Sequence, residues 1–505
     1  MTIYNFNKGI GWASSGVEYA QAYRANIFKK NGQKAKFIFT DIFYENIEPM
    51  TKNIGFDDEE VIWFYQYFTD TKTSSTTYTL EQVEKSFSQK PDYVKRLEKQ
   101  VIYGFNSEEL KITAFLDENA NLECVYKVET HIKDKLLQRD YYTYVKIFSE
   151  YFKPVNNQAN LFQRRFFNEN GSTAYDELLN GEQSLYVFDD RTIFSFENLM
   201  LYFMECLNLT SQDIVIMDRS TGMGPEMVRA KGDAKLGVVI HAEHFNEPLT
   251  TEDFILWNNF YDYQFENARH IDFFITATEK QKEIIEAQFE QYEKGPIKVY
   301  AIPVGSVDKL EGASKRKENA LMTASRLAGE KHIDWLIKAV VEARKAVPNI
   351  SLDIYGQGGH FLALSALINE LGANSYIHLK GQQNLSDIYK TYPTYIAAST
   401  SEGFGLTLLE AVGSGLGMIG FDVRYGNQTF IKDGVNGYLI PYEKNDTPKN
   451  IQALSQAIVL YHQQSESKRK VIQETSYRIA EPFLTAHVGE LWLKLEEELI
   501  NDKFI

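Results

Sequence analysis

A glycine turn set between two short apolar runs constrains this chain more than any other feature. Residues 401–410 read SEGFGLTLLE, with Glu402 before the turn and Glu410 eight positions later. The apolar runs 395–398 and 417–421 on either side are typical of buried strands, and the segment after the turn is typical of a helix. This order predicts an α/β unit, and open α/β sheets bind their ligands at the carboxyl ends of their strands.

The residue types in this turn suit a sugar nucleotide. Gly403 and Gly405 let the backbone turn sharply and approach a ligand, and the first N–H groups of the following helix, with its positive dipole end, suit a diphosphate. Glu402 and Glu410 can accept hydrogen bonds from two sets of sugar hydroxyls. Two glutamates beside an apolar helix are more often plain solvated surface, but the flanking strands favour a binding site here.

The same alternation of strand and helix runs through most of the 505 residues. It opens with a strand at 3–6, a glycine loop at 9–16 and a helix at 17–30. In that loop four residues rather than two separate Gly11 from Gly16, so it does not match the dinucleotide fingerprint. We predict two doubly wound domains and a final amphipathic helix, with these boundaries: 1–75 with 197–303, 304–484, and 485–505.

The segment 76–196 breaks this rhythm and predicts an inserted antiparallel β-meander in the first domain. Leu122, Cys124, Tyr126 and Val128 alternate as one face of a strand, and 184–196 reads as a hairpin. The chain has 31 Tyr and 33 Phe, and much of the insertion is aromatic. This composition favours a surface for a partner protein; the alternative is a purely structural addition, because aromatic residues also dominate ordinary cores.

Charge and cysteine content exclude several classes of protein. The formal net charge of −16 disfavours binding to nucleic acid and to anionic lipid. The two cysteines, Cys124 and Cys206, are too few for a disulfide framework and lack metal-ligand spacing. No signal peptide or membrane-spanning run is evident, so we expect a cytoplasmic protein with at most a peripheral membrane association.

Two cations and a histidine complete the candidate site. Arg326 follows a predicted strand end and Lys331 follows the next turn, where two fixed charges can stabilise a departing diphosphate. His241 ends a strand, three residues before His244, and a histidine in such a place is often only structural. No further clustered ligand completes a metal site with this pair, and no Asp-x-Asp occurs, so we predict a reaction that needs neither a metal nor another cofactor.

These motifs resemble those of retaining glycosyltransferases with two Rossmann-like domains facing a cleft, the GT-B type, whose signature is Glu, seven residues, Glu. The resemblance implies that Glu410 binds the ribose and that Glu402 and His241 face the donor sugar. Arg326 and Lys331 would neutralise the diphosphate. The backbone of Gly16 and the N–H groups of Phe404, Gly405 and Leu406 would also contact the donor. The family's proposed front-face substitution implies retention at the anomeric carbon.

The whole chain, including the opening IYNFNKGIGWASSGVEYAQAYR and the insertion, resembles the catalytic subunits of accessory-secretion O-GlcNAc transferases. That resemblance implies transfer from UDP-GlcNAc to Ser or Thr hydroxyls of serine-rich repeat adhesins in the cytoplasm before export. It also implies a related non-catalytic subunit that docks on the insertion. The alternatives are a wall teichoic acid α-GlcNAc transferase, a weaker case for glycogen-type synthesis, and a non-catalytic stabilising subunit; retention of Arg326, Lys331, Glu402 and Glu410 argues against the last.

Overall fold

The structure is a computed structural model, and it describes residues 1–12, 16–120, 123–312 and 315–501. Its contacts divide the chain into two compact units. The first is Met1–Val238 with His270–Asp272, and the second is Val239–Arg269 with Phe273–Ile505.

The first part of the chain forms strands and helices in alternation, as its sequence predicts. Their bounds are β1 Ile3–Asn7, α1 Gly16–Lys30, β2 Ala35–Phe39, α2 Ile47–Ile54 and β3 Val61–Trp63. β2 is buried over its apolar residues 37–39, whereas β1 also buries Asn5 and Asn7, whose side chains are hydrogen-bonded to residues of α1.

An antiparallel sheet of ten strands follows β3 and occupies the predicted insertion. After the short helix α3 (Leu80–Lys85) its strands are β4 Tyr93–Arg96, β5 Gln100–Phe105, β6 Leu110–Leu116, β7 Val125–Ile132, β8 Lys135–Tyr142, β9 Lys146–Val155, β10 Gln158–Phe167, β11 Thr173–Asn180, β12 Gln183–Phe188 and β13 Thr192–Phe194. Each strand pairs with the next in sequence, from β4 at one edge to β13 at the other. The predicted β-meander is confirmed.

Five aromatic side chains on neighbouring strands of this sheet stand directly opposite one another and stack. We call this set the aromatic ladder: Tyr141 of β8, Phe148 of β9, Phe166 of β10, Tyr175 of β11 and Phe188 of β12. Successive ring centroids lie 4.3, 5.4, 4.5 and 4.8 Å apart, with interplanar angles of at most 22°. Such cross-strand aromatic pairs stabilise a sheet beyond their burial alone.

The aromatic ladder faces the first domain rather than solvent. Tyr65, just after β3, stacks on Phe166 at 5.7 Å, and Trp63 lies 5.8 Å from Phe148. Tyr141, Phe148, Phe166 and Tyr175 are buried. Much of the aromatic content of the insertion therefore serves its attachment to the domain that carries it, as the structural alternative supposed.

The predicted alternation at 122–128 is wrong in part. Leu122 lies outside the described residues, and Val125, which the alternation places on the opposite face, is fully buried together with Val128. The register between β6 and β7 shifts, so that Leu116 pairs with Val125 while Phe115 pairs with Lys127. This bulge turns the strand, and both valines reach the core.

The chain then returns to the first sheet. Its further elements are α4 Phe196–Cys206, β14 Ile214–Met217, α5 Gly224–Ala230, β15 Lys235–Ile240, α6 Asp262–Glu266, β16 Phe273–Thr276, α7 Glu279–Gln291 and β17 Val299–Ala301. The strand order is β17-β16-β15-β14-β1-β2-β3, and the boundary between the two units falls within β15. The loop after β1 therefore begins where the strand order reverses, between β1 and β14.

A second parallel sheet lies wholly in the second unit. Its strands and helices are β18 Ala320–Ala324, α8 Ile333–Ala343, β19 Ser351–Tyr355, α9 Phe361–Glu370, β20 Ile377–Gly381, β21 Thr394–Ala397, α10 Leu406–Gly413, β22 Gly417–Phe421, α11 Gly426–Phe430 and β23 Gly437–Ile440. Helices α12 Thr447–His462, α13 Glu466–Ala480 and α14 Thr485–Asn501 follow. The order β20-β19-β18-β21-β22-β23 is that of a doubly wound sheet, whose switch point lies between β18 and β21.

Candidate active site

The glycine turn lies directly after β21, at the switch point of the second sheet. Gly405 has φ +86°, a left-handed conformation that favours glycine, and α10 begins at the next residue. Among the described residues, the N–H groups of Phe404, Gly405 and Leu406 have no acceptor, whereas the side chain of Phe404 is buried against Phe430. These three residues therefore offer backbone donors at the start of a helix.

Tyr395 of β21 holds the glycine turn in place through its side-chain hydroxyl. Its hydroxyl donates to the carbonyl oxygen of Ala324 at 2.9 Å and lies 2.9 Å from Oγ1 of Thr407 in α10. Burial raises the pKa of this phenol to about 12. Because the phenol stays protonated, it holds the end of β18 and the start of α10 together. Tyr395 was predicted only as part of a buried strand, without this role.

Lys331 and Glu402 meet at the switch point. Nζ of Lys331 lies 2.7 Å from Oε2 of Glu402, and the two side chains are 16% and 21% exposed. Lys331 ends a short 3₁₀ turn (Gly329–Lys331) after β18, so each partner comes from one of the two strands at the switch point. A lysine and a carboxylate thus share one partly buried site, although they are 71 positions apart.

Arg326 lies on the same loop but is more exposed. Its guanidinium lies 3.0 Å from the carboxylate of Glu330, in a pair whose arginine is 64% exposed. A surface pair of this kind contributes little to stability. Arg326 can therefore change partner at low cost when an anion enters.

Glu410 lies on α10, and its Oε2 accepts a hydrogen bond of 2.7 Å from the hydroxyl of Tyr389. Tyr389 is buried beneath the helix. The bond fixes the rotamer of the carboxylate from one side, which is the kind of support a ligand-binding carboxylate needs. Glu410 is among the residues predicted from the sequence, and Tyr389 is not.

The two histidines lie in different environments. His244 is fully buried, with Nε2 2.7 Å from Oε1 of Gln288 and Nδ1 3.2 Å from the hydroxyl of Tyr425. Burial lowers its pKa to about 4, so it is neutral near pH 7 and both ring nitrogens face protein. His241 is half-buried, and its backbone lies against the glycine turn: a Cβ on Gly403 would lie 2.6 Å from the His241 carbonyl oxygen. This geometry favours His241 over His244 as the residue beside a donor sugar.

A second glycine pair, missed by the sequence analysis, shapes the loop that carries Arg326. Gly356 and Gly358 have φ +128° and +157°, and Cβ atoms there would lie 1.9 and 2.5 Å from the carbonyl oxygens of Ser325 and Leu327. Leu327 donates its N–H to the carbonyl of Gln357. The signal was available, because Gly356-Gln357-Gly358-Gly359 directly follows β19.

Gly16 lies in the first unit, as the first residue of α1. Residues 13–15 of the glycine loop lie outside the described residues. A Cβ on Gly16 would meet no atom of the described residues within 4 Å, so none of these residues requires a glycine there.

None of the helices in the described part of the chain is long and apolar enough to span a membrane. No group of three or more His, Cys, Asp or Glu side chains within it has the arrangement of a metal site.

A cavity of about 890 Å³ opens beside the glycine turn in the second unit. Its lining includes Thr400 and Ser401 and the segments around Glu243 and Arg424. Its lining carries carboxylates, amides and cations together, which suits a polar ligand rather than an apolar one.

Comparison with known proteins identifies the family. Residues 308–478 match the model described as glycosyl transferases group 1, and residues 92–190 match the GtfA extended beta-sheet domain. The chain is 50% identical over 507 aligned residues, 99% of each chain, to the UDP-N-acetylglucosamine--peptide N-acetylglucosaminyltransferase GtfA subunit of Streptococcus agalactiae. The chain belongs to the GtfA family.

Two solved GtfA structures match along nearly the whole chain. One, of the pneumococcal O-GlcNAc transferase GtfA in complex with UDP and GlcNAc, has a TM-score of 0.94 at 47% identity and covers 99% of both chains. The other, of a GtfA/B complex, has a TM-score of 0.93 at 49% identity and covers 99% of this chain and 100% of that one. The predicted GT-B fold with an inserted antiparallel sheet is thereby confirmed.

Proposed function

We propose that this chain transfers N-acetylglucosamine from UDP-GlcNAc to Ser and Thr hydroxyls of a polypeptide. The observation that carries the proposal is the Lys331–Glu402 pair at the switch point, beside three backbone N–H groups that have no acceptor in the described part of the chain. The chain that carries this pair is 50% identical, over 99% of its length, to a GtfA subunit that is named for this reaction.

Each predicted site residue then has a role in the proposal. Arg326, Lys331 and the N–H groups of Phe404, Gly405 and Leu406 would take up negative charge on the diphosphate. Glu410 would bind the ribose, and Glu402 and His241 would face the sugar. Gly16 would let the backbone of the first domain approach the diphosphate.

The chemistry proposed is a front-face substitution with retention. The bond between the anomeric carbon and the UDP oxygen breaks, and the acceptor oxygen bonds to the same face of that carbon. The acceptor proton passes to the departing phosphate oxygen, so no protein nucleophile is needed. Fixed cations lower the barrier because they stabilise charge that grows on the leaving group.

The proposed acceptor and the proposed partner subunit are both based on the similarity to the GtfA family. We propose that the acceptor is a serine-rich repeat adhesin modified in the cytoplasm before export, with at most peripheral contact between enzyme and membrane. We further propose that a related non-catalytic subunit docks on the insertion, which we delimit as 76–196. The solved GtfA/B complex supports a second subunit.

Mass spectrometry of a serine-rich peptide incubated with the chain, its partner and UDP-GlcNAc tests the proposal. The expected product carries added N-acetylhexosamine. Lys331→Ala should abolish transfer, whereas Lys338→Ala, a lysine paired with Asp334 on the exposed side of α8, should not. Modification of a poly(ribitol phosphate) acceptor instead of the peptide would favour the teichoic acid alternative, and no transfer to either would overturn the proposal.

Metal independence is tested in the same assay. Because Arg326 and Lys331 would replace a divalent cation, EDTA should leave the rate unchanged. Inhibition by EDTA that Mn²⁺ reverses would contradict this part of the proposal.

A further inference from the structure

Tyr425 joins the two segments that carry the candidate catalytic side chains. It follows β22, and it has φ +70° and ψ −96°, a conformation that a non-glycine residue adopts only when its surroundings hold it there. Its side chain is buried. Such strain at a buried residue near a glycine turn indicates a function for that position.

The phenol of Tyr425 reaches the segment that follows His241. Its oxygen lies 2.5 Å from Oε1 of Glu243 and 3.2 Å from Nδ1 of His244. Burial raises the pKa of this phenol, so it remains a donor at neutral pH. Arg424 brings a cation to the same carboxylate, with Nε 3.8 Å from Oε2 of Glu243.

The backbone of Tyr425 reaches the turn that carries Glu402. The two residues form a parallel β-bridge, and the next residue, Gly426, donates its N–H to the carbonyl of Glu402 at 3.0 Å. A Cβ on Gly426 would lie 2.2 Å from the carbonyl oxygen of Phe404, so the two loops touch through backbone alone.

We propose that Tyr425 is a positioning residue that sets the place of Glu402 relative to His241. Its phenol is tied to Glu243, two residues after His241, and its peptide is tied to Glu402. The inference rests on the proposed function, because it concerns the geometry of that reaction. A shift of about 1 Å in a catalytic group can cost on the order of a hundredfold in rate.

The first test is Tyr425→Phe in the full chain with its partner. We expect kcat to fall about 10- to 100-fold, while the KM for UDP-GlcNAc and the Kd for UDP stay unchanged, because Glu410 and Arg326 are untouched. The matched control is Tyr461→Phe, which also removes a buried hydroxyl, here bonded at 3.1 Å to the carbonyl of Pro393 at the opposite end of β21. It should lower the melting temperature without lowering kcat.

The second test removes the same hydrogen bond by replacing its acceptor, Glu243. Glu243→Ala should reproduce the loss of kcat, and Glu243→Gln should restore most of it, since the amide oxygen can still accept from the phenol. The double variant Tyr425→Phe with Glu243→Ala should be no slower than either single variant, because one bond is lost in all three.

The outcomes separate this inference from the proposed function. If the wild-type chain transfers GlcNAc and Tyr425→Phe is as fast, the positioning role is refuted. A rise in KM with unchanged kcat, or additive losses in the double variant, would refute it as well. If the wild-type chain transfers no GlcNAc to the peptide, the proposed function fails first.

Discussion

At the residue scale, four of the side chains predicted for the donor site, those of Lys331, Glu402, Arg326 and Glu410, already have a protein partner. Lys331 lies against Glu402, Arg326 against Glu330 and Glu410 against Tyr389. These contacts hold charges in place before a ligand arrives, which lowers the ordering cost of binding. In the proposed function, Lys331 and Arg326 exchange these carboxylate partners for the diphosphate.

Glu410 provides a direct test of ribose binding. Glu410→Ala should weaken UDP binding by about 1.5–3 kcal/mol, the usual contribution of hydrogen bonds to a charged group. Tyr389→Phe, which leaves the carboxylate but removes its support, should weaken UDP binding much less. Isothermal titration calorimetry measures both. Unchanged UDP affinity in Glu410→Ala would contradict the ribose role.

His244 should make stability depend on pH. Its folded pKa of about 4 lies below the ordinary value of 6.5, so the unfolded chain binds the proton more readily. Its contribution is therefore complete above about pH 6.5 and is lost as the pH falls towards 4, by about 3 kcal/mol in all. Burial is the main cause of the lowered pKa and Arg424 adds to it, while the hydrogen bond with Gln288 opposes it; Tyr425 and Glu243 also face the ring.

Urea unfolding between pH 4 and 7 checks this prediction. Compared with the wild-type chain, His244→Gln should show a shallower loss of stability on acidification, because an amide does not titrate. His378→Gln is the control, because His378 is an exposed histidine of β20. Equal slopes in the wild-type chain and His244→Gln would contradict the assignment.

At the element scale, the glycine turn depends on the absence of side chains at Gly403 and Gly405. Gly403 lies against the carbonyl of His241, and Gly405 supplies the left-handed start of α10. The turn therefore brings together the end of β15 and the start of α10. A methyl group at Gly403 or Gly405 would displace one of these two elements.

Gly403→Ala tests this contact. The added Cβ would lie 2.6 Å from the His241 carbonyl oxygen, so the turn must shift, and we expect transfer to fall by about tenfold or more. Gly312→Ala is the control, because a Cβ there meets nothing within 4 Å and the residue has no left-handed φ. A rate for Gly403→Ala equal to that of the control would show that the turn tolerates the shift.

What the sequence could predict was local. Glu402, Gly405 and Glu410 stand within one strand-turn-helix unit, whose pattern is legible along the chain. The bond between Tyr425 and Glu243 was not predictable in that way, since it joins residues 182 positions apart and depends on a strained φ. The buried face of Val125 was also missed, because one bulge reverses the alternation on which the prediction relied.

At the scale of the whole molecule, the insertion has two different surfaces. The face with the aromatic ladder packs against Trp63 and Tyr65 of the first domain. Apolar side chains exposed elsewhere on the same sheet include Val94 at an edge strand, Ile132, Val155 and Leu178. These exposed residues are accessible to a partner protein. Deletion of the whole insertion would also expose the surface of the first domain that packs against the aromatic ladder, so a deletion is a poor test of docking.

Single substitutions on the exposed surface of the insertion test docking of the partner better than a deletion does. Val94→Asp, Ile132→Asp, Val155→Asp and Leu178→Asp each place a charge where an apolar partner surface would be desolvated. We expect at least one to abolish capture of the partner subunit while UDP binding stays unchanged. The control is Val435→Asp, an equally exposed valine in the second unit. Full capture of the partner by all four variants would contradict docking on the insertion.

The pairing of β1 with β14 has a consequence for the order in which the protein folds. Thr2 bonds to Asp213, 211 positions away, so the ribosome must synthesise the entire ten-stranded sheet before β1 can gain this neighbour. Each strand of that sheet pairs with the next one in sequence, and contacts so near in the chain form quickly. We therefore expect the insertion to fold first during synthesis and to serve as the surface on which the first domain later closes.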